Sequence, residues 1–211
     1  MTPVPGRAWA ASSVCVSLVL SVILGGLPLV SFLRDGVHLY CEYSDVGEAA
    51  PGSFFCADGI GYIVPVATII LVWALVSALA IVAMSAWIPP ALRPRLVSLL
   101  SLGPAVYLSI LAADATGRLR ATVQPRDFWS GPMLAVTVLL SGFAAVVLVL
   151  LVVRGSRSRL VLYVVGGVLL LAALAAQPGM LAATLLTMGL FGASLILDRA
   201  RYELPSAPQL R

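Results

Sequence analysis

Residues Tyr62–Ile88 read YIVPVATIILVWALVSALAIVAMSAWI, a run that carries no charged side chain. Its apolar residues recur on every side of a helix, so it has no solvent face. As a helix it would rise roughly 40 Å at 1.5 Å per residue, more than the ~30 Å of a hydrocarbon core. A barrel strand would instead alternate over about ten residues.

Five further stretches are of the same kind: 10–32, 96–113, 132–153, 160–176 and 180–197. The expected fold is therefore all-α: a polytopic transmembrane bundle of about six helices forming one integral membrane domain over 1–211. Composition agrees. Hydrophobic residues make up 61% of the chain and charged ones 10%, with a mean hydropathy of +1.05. A soluble domain is about a quarter charged, so a water-soluble enzyme, a disordered chain and a fibrous repeat are all excluded. The first stretch is longer than a signal-peptide core and is followed by no close small-x-small site, so it reads as a retained span.

Three stretches need closer reading. Gly103-Pro104 should kink or break 96–113. The stretches 160–176 and 180–197 are short, and Gln177-Pro178-Gly179 between them signals a tight turn. They read as a hairpin of two spans, with a re-entrant loop as the alternative.

All 13 basic residues are arginine, a vocabulary that suits a GC-rich bacterial genome. Six spans with the N-terminus inside leave Arg7, Arg93, Arg95, Arg154, Arg157, Arg159, Arg199, Arg201 and Arg211 on one side. Only Arg34, Arg118, Arg120 and Arg126 fall on the other. Under the positive-inside rule the richer side is cytoplasmic. This places both termini, including the tail 198–211, in the cytoplasm of a plasma (inner) membrane protein. If 96–113 did not cross, the bias would vanish. Trp9, Trp87 and Tyr163 then fall at inner boundaries and Tyr62, Phe128 and Trp129 at outer ones, where amphipathic rings suit the headgroup level. Trp73 is mid-span and should pack against a neighbour or lipid.

Cys41 and Cys56 share the extracytoplasmic loop 33–61, a compartment that permits disulfides, so a structural disulfide is expected there. The spacing does not fit a C-x-x-C redox pair, and His38 is the only further zinc ligand in reach. No metal and no cofactor is expected. Cys15 lies in the first span as a small hydrophobe. The loop is acidic: Asp35, Glu42, Asp45, Glu48 and Asp58 stand against Arg34 alone. Its paired cysteines are similar to those of claudin-like four-span proteins, but it contains no Trp and the span count differs.

An ionisable side chain inside the membrane is a functional hypothesis by default, and here the nearest is Asp114, with Arg118 one turn on as partner. The pair is a candidate ligand or ion site, or an interfacial ion pair closing a helix. No H-E-x-x-H, P-loop or G-x-G-x-x-G is present, so no catalytic residue is assigned. Gly189 with Ala193, and Ser141 with Ala145, are small-xxx-small pairs suited to packing within the bundle, with oligomer contacts as the alternative.

Three functions are carried forward. The first is a non-enzymatic accessory, scaffold or interaction subunit. The second is a small transporter with Asp114 and the Gly103-Pro104 kink lining its path. The third is a lipid-processing enzyme using the loop 115–130, where Arg118, Arg120, Arg126 and Asp127 lie. Expected partners are membrane lipids and a second membrane protein or a further copy of the chain. The scattered arginines form no stripe for nucleic acid.

Overall fold

The computed structural model describes residues 5–44, 53–85, 87–110 and 131–203. They form an all-α bundle with one small hairpin. Helix α1 spans Pro5–Ser31, α2 Ile63–Ala83, α3 Arg93–Leu100, α4 Gly131–Val152, α5 Ser156–Ala176 and α6 Leu181–Glu203. Strands β1 (Cys41–Ser44) and β2 (Ser53–Cys56) pair antiparallel between α1 and α2. Among the described residues, five segments are long and apolar enough to cross a membrane: Gly6–Gly36, Gly59–Ala83, Leu134–Val152, Ser156–Ala176 and Pro178–Arg201.

α6 is the centre of the bundle. It is the most enclosed of the five spans, with 61% of its apolar window buried. α1 lies antiparallel on it: Gly6 sits by Ala200, Ser17 by Gly189 and Gly25 by Ala182. The described ends of the chain thus meet at one end of the bundle. α1 closes with a π-helical turn over Phe32–Gly36, whose widened ring is completed by Val37 N–H donating to the Phe32 carbonyl at 2.9 Å.

The stretch 96–113 is broken where its Gly-Pro pair predicts. α3 ends at Leu100, residues 101 and 102 turn, and helix resumes over 103–110. Pro104 has no N–H to give, so it is tolerated in the first turn of the resumed helix. Gly103 allows that helix close to α2: a Cβ there would lie 3.1 Å from Val76. The broken segment still runs the length of the bundle. Arg93 lies within electrostatic reach of Arg7, Ser98 bonds Ser194, and 105–110 share a cavity with Phe32 and Met180 at the opposite end. The segment's sixteen helical residues rise about 24 Å, somewhat short of the ~30 Å of a hydrocarbon core.

The Gln177-Pro178-Gly179 turn joins two full-length helices, α5 and α6, so the hairpin reading holds over the re-entrant one. It packs under the end of α1, where a Cβ on Gly179 would meet Phe32 at 2.7 Å. The aromatic belt is only half as expected. Trp9 and Trp87 are exposed, at 70% and 95%. Tyr62 and Tyr163 are instead buried, at 0% and 4%, because each hydroxyl finds a partner inside the protein. Trp73 is packed in the core. Phe128 and Trp129 lie outside the described residues.

Candidate functional site: a buried ion pair at the arginine end

Charge inside a bundle is costly. Moving an ion out of water costs several kcal/mol even after relaxation, so a buried pair calls for an explanation. Arg159 and Asp198 form one here. Arg159 is in the first turn of α5 and Asp198 near the end of α6, and they are 3% and 4% exposed. Arg159 Nε donates to Asp198 Oδ2 at 2.7 Å. Its Nη1 donates to the carbonyls of Leu150 and Val153 at 3.2 and 3.1 Å. Leu150 is in the last turn of α4 and Val153 follows its end, where carbonyls lack an intrahelical partner. One guanidinium fork therefore ties the ends of three helices together.

The pair continues into a chain of hydroxyls. Tyr163, one turn along α5 from Arg159, has its hydroxyl beside the guanidinium. Ser194 Oγ, one turn before Asp198 on α6, is 3.2 Å from Tyr163 Oη and donates to the Phe191 carbonyl at 2.7 Å. Ser98 Oγ of α3 donates to Ser194 Oγ at 2.9 Å. Ser101 Oγ donates to the Ser98 carbonyl at 2.6 Å. Gly166 leaves room for the Phe191 ring, since a Cβ there would sit 2.7 Å from Phe191 Cζ.

By sequence Arg159 falls in a connector and Asp198 at the head of the tail, but the structure buries both. α5 begins four residues before its apolar stretch does, so Arg159 lies on a packed face rather than in a connector. A signal was available: Arg159 with Tyr163, and Ser194 with Asp198, each put two polar groups on one helix face at i,i+4. Asp114, Arg118, Arg120, Arg126 and Asp127 lie outside the described residues.

Among the described residues, cavities open at both ends of the bundle. One of about 310 Å³ opens between the start of α5 and the end of α6, beside Asp198. The other, about 480 Å³, lies at the opposite end between 105–110 and α4, and its walls are mostly apolar, including Leu108, Val136, Leu140 and Phe143.

The disulfide expected from the sequence joins Cys41 to Cys56, whose Cα atoms are 3.9 Å apart. It closes the base of the β1–β2 hairpin. Tyr62 Oη donates to the Leu39 carbonyl at 2.6 Å and fastens that base to the bundle. The chain reverses through left-handed residues His38 (φ 51°) and Tyr40 (φ 58°). His38 and the two cysteine sulfurs cluster within 4.8 Å, but oxidised sulfurs offer no thiolate to a metal. Replacing both cysteines by serine should cost about 3 kcal/mol on the chain-entropy model. The loss should be local, read as faster hydrogen exchange at Leu39 and Ala57, with mass spectrometry of the unreduced protein showing Cys41 linked to Cys56.

Burial holds the His38 imidazole below its ordinary value, against the Arg34 carbonyl and Asp35, which raise it. The unfolded chain then binds a proton more readily than the folded one. This contribution to stability is complete above the unfolded value of 6.5 and is lost as pH falls through the lower folded value. His38→Asn tolerates the left-handed backbone and should flatten the acid limb of thermal stability between pH 7.5 and about 5. An acid limb as steep in the variant as in the wild type would remove His38 from that account.

No protein-family model matches the chain, and neither a curated protein nor a solved structure does.

Proposed function

We propose that this multi-pass membrane protein is a non-enzymatic interaction subunit of a membrane assembly, docking its partner through the outer loop. The observation behind this reading is the stapled hairpin. A disulfide and the Tyr62–Leu39 bond fix the base of a loop that carries five carboxylates against one arginine. Fixing the base of a loop before it binds removes part of the entropy that binding would otherwise cost, and the loop's charge favours a basic partner. The arginine-rich end, with Arg7, Arg93, Arg95, Arg154, Arg157, Arg199 and Arg201, faces the cytoplasm on the positive-inside rule. The hairpin then projects from the outer face of the plasma membrane.

The test is purification from source membranes in mild detergent, beside a variant in which Asp35, Glu42, Asp45 and Glu48 are neutralised to Asn or Gln. A companion protein should co-purify with the wild type, dissociate in high salt and be missing from the variant. Elution of the wild type alone, or of the same companion with both, would overturn the reading.

A second reading, a small transporter, is favoured by the broken segment 93–110, whose second half lines the 480 Å³ cavity through Leu102, Ala105, Val106, Leu108, Ser109 and Ile110. Non-regular backbone at membrane depth is tolerated where it lines a cavity. Asp114→Asn should abolish solute flux in proteoliposomes under this reading and leave partner binding intact under the first.

A further inference from the structure

The cavity beside the ion pair has a chemistry of its own. Ser156, Arg157 and Tyr163 of α5 line one wall, and Leu195, Asp198 and Arg199 of α6 the other. Arg157 and Arg199 are exposed at its rim, while Asp198 is buried. Only one carboxylate oxygen of Asp198 is used. Oδ2 takes the Arg159 bond, and the buried Oδ1 accepts no hydrogen bond among the described residues. A buried acceptor left unpaired is costly, and Asp198 is one of the residues that line this cavity.

Arg159 is neutralised by Asp198, so Arg157 and Arg199 set the charge of the mouth. The site lies at helix ends, where the apolar spans give way to arginines and the headgroups of a bilayer would stand. Basic pockets between transmembrane helices at this depth suit phosphate headgroups. Leu160 and Leu195 add apolar wall toward the membrane interior.

We infer that this cavity is a phospholipid headgroup site: Arg157 and Arg199 hold the phosphate, and Asp198 Oδ1 accepts a hydrogen bond from a donor on the same headgroup. The donor requirement separates lipids that carry a hydroxyl or ammonium N–H from those that carry neither. Phosphatidylglycerol and phosphatidylethanolamine meet it, and phosphatidylcholine does not. The two rim arginines favour the anionic phosphatidylglycerol of that pair. This assignment is independent of the outer loop and its partner.

The test uses the full-length protein in detergent, with native mass spectrometry against each of the three lipids at matched chain length and against inorganic phosphate. Phosphatidylglycerol should bind best, and phosphatidylcholine roughly tenfold more weakly, the loss of one charge-assisted hydrogen bond. Arg157→Gln with Arg199→Gln should weaken phosphatidylglycerol about thirtyfold, since each interfacial arginine contributes about a factor of five. Both side chains are exposed, so melting temperature should be unchanged. Asp198→Asn should erase the preference over phosphatidylcholine. If that variant fails to fold, the lipid series and the arginine variant still decide. Equal binding of all three lipids, or wild-type affinity in the arginine variant, would overturn the inference. Inorganic phosphate binding as tightly as the lipid would reassign the site to a free anion and overturn the lipid.

Discussion

Arg159→Ala should destabilise the protein by about 3–5 kcal/mol, the usual cost of removing one partner from a buried pair. The larger part of that cost is what remains behind. Asp198 would keep a buried charge without its cation, and the Leu150 and Val153 carbonyls would lose their donor. Asp198→Ala should cost a similar amount by stranding the guanidinium. Arg159→Lys should fall between, because an ammonium is a point charge and lacks the planar fork that reaches a carboxylate and two carbonyls together. The double variant Arg159→Met, Asp198→Leu should recover most of the loss, since well-packed apolar side chains often replace a buried pair at no net cost. Thermal unfolding in detergent, followed by near-ultraviolet circular dichroism, would measure all four. If Arg159→Ala melted with the wild type, the pair would have to be solvated in the membrane and the three-helix tie would not exist.

The double variant also separates structure from function. A protein that regains stability with Met and Leu but loses lipid preference would place the need for Asp198 in the cavity. One that regains both would make the pair a packing device alone.

Hydropathy exposed the parts of this fold that depend on the solvent. A lipid-facing run such as Tyr62–Ile88 must be long and uncharged, and both conditions are visible in one dimension. The break before Gly103-Pro104 and the turn at Gln177-Pro178-Gly179 were equally legible, because they follow from the backbone chemistry of single residues. The disulfide followed from compartment and count. The interior was not legible in that way. Arg159 and Asp198 are 39 positions apart, and each borders an apolar stretch where a charge is ordinary. Tyr62 and Tyr163 sit at interfaces by sequence position, yet turn inward to partners that only the tertiary fold supplies. The small stripe of α1, namely Gly6, Ala10, Ser13, Ser17, Ser21 and Gly25, was obscured by a composition rich in glycine and alanine.

The contact of that stripe with α6 carries the second large effect expected: Gly25→Leu and Gly189→Leu should each weaken the bundle by about 3 kcal/mol, the upper range for overpacking. In a bilayer two helices gain no hydrophobic energy by meeting, since lipid chains are as apolar as leucine, so association rests on close packing and hydrogen bonds. α1 and α6 exploit both. A Cβ on Gly25 would strike the backbone of Ala182, and one on Gly189 would strike Ser17. At that separation Ser13 Oγ reaches the Gly189 carbonyl at 3.2 Å and Ser21 Oγ the Ala182 carbonyl at 2.7 Å. A leucine at either glycine would part the helices and stretch both bonds. Gly26 and Gly192 have nothing within 4 Å of an added Cβ, so alanine there should be neutral or stabilise by about 0.5–1 kcal/mol through helix propensity. A swap makes the contrast sharper. Gly189→Ser alone should destabilise, and adding Ser17→Gly should restore stability, because the hydroxymethyl group only changes sides of the same contact. Unfolding curves for the single and double variants would give the coupling directly. Additive losses would mean that the two positions do not touch, and the antiparallel register of α1 on α6 would have to be redrawn.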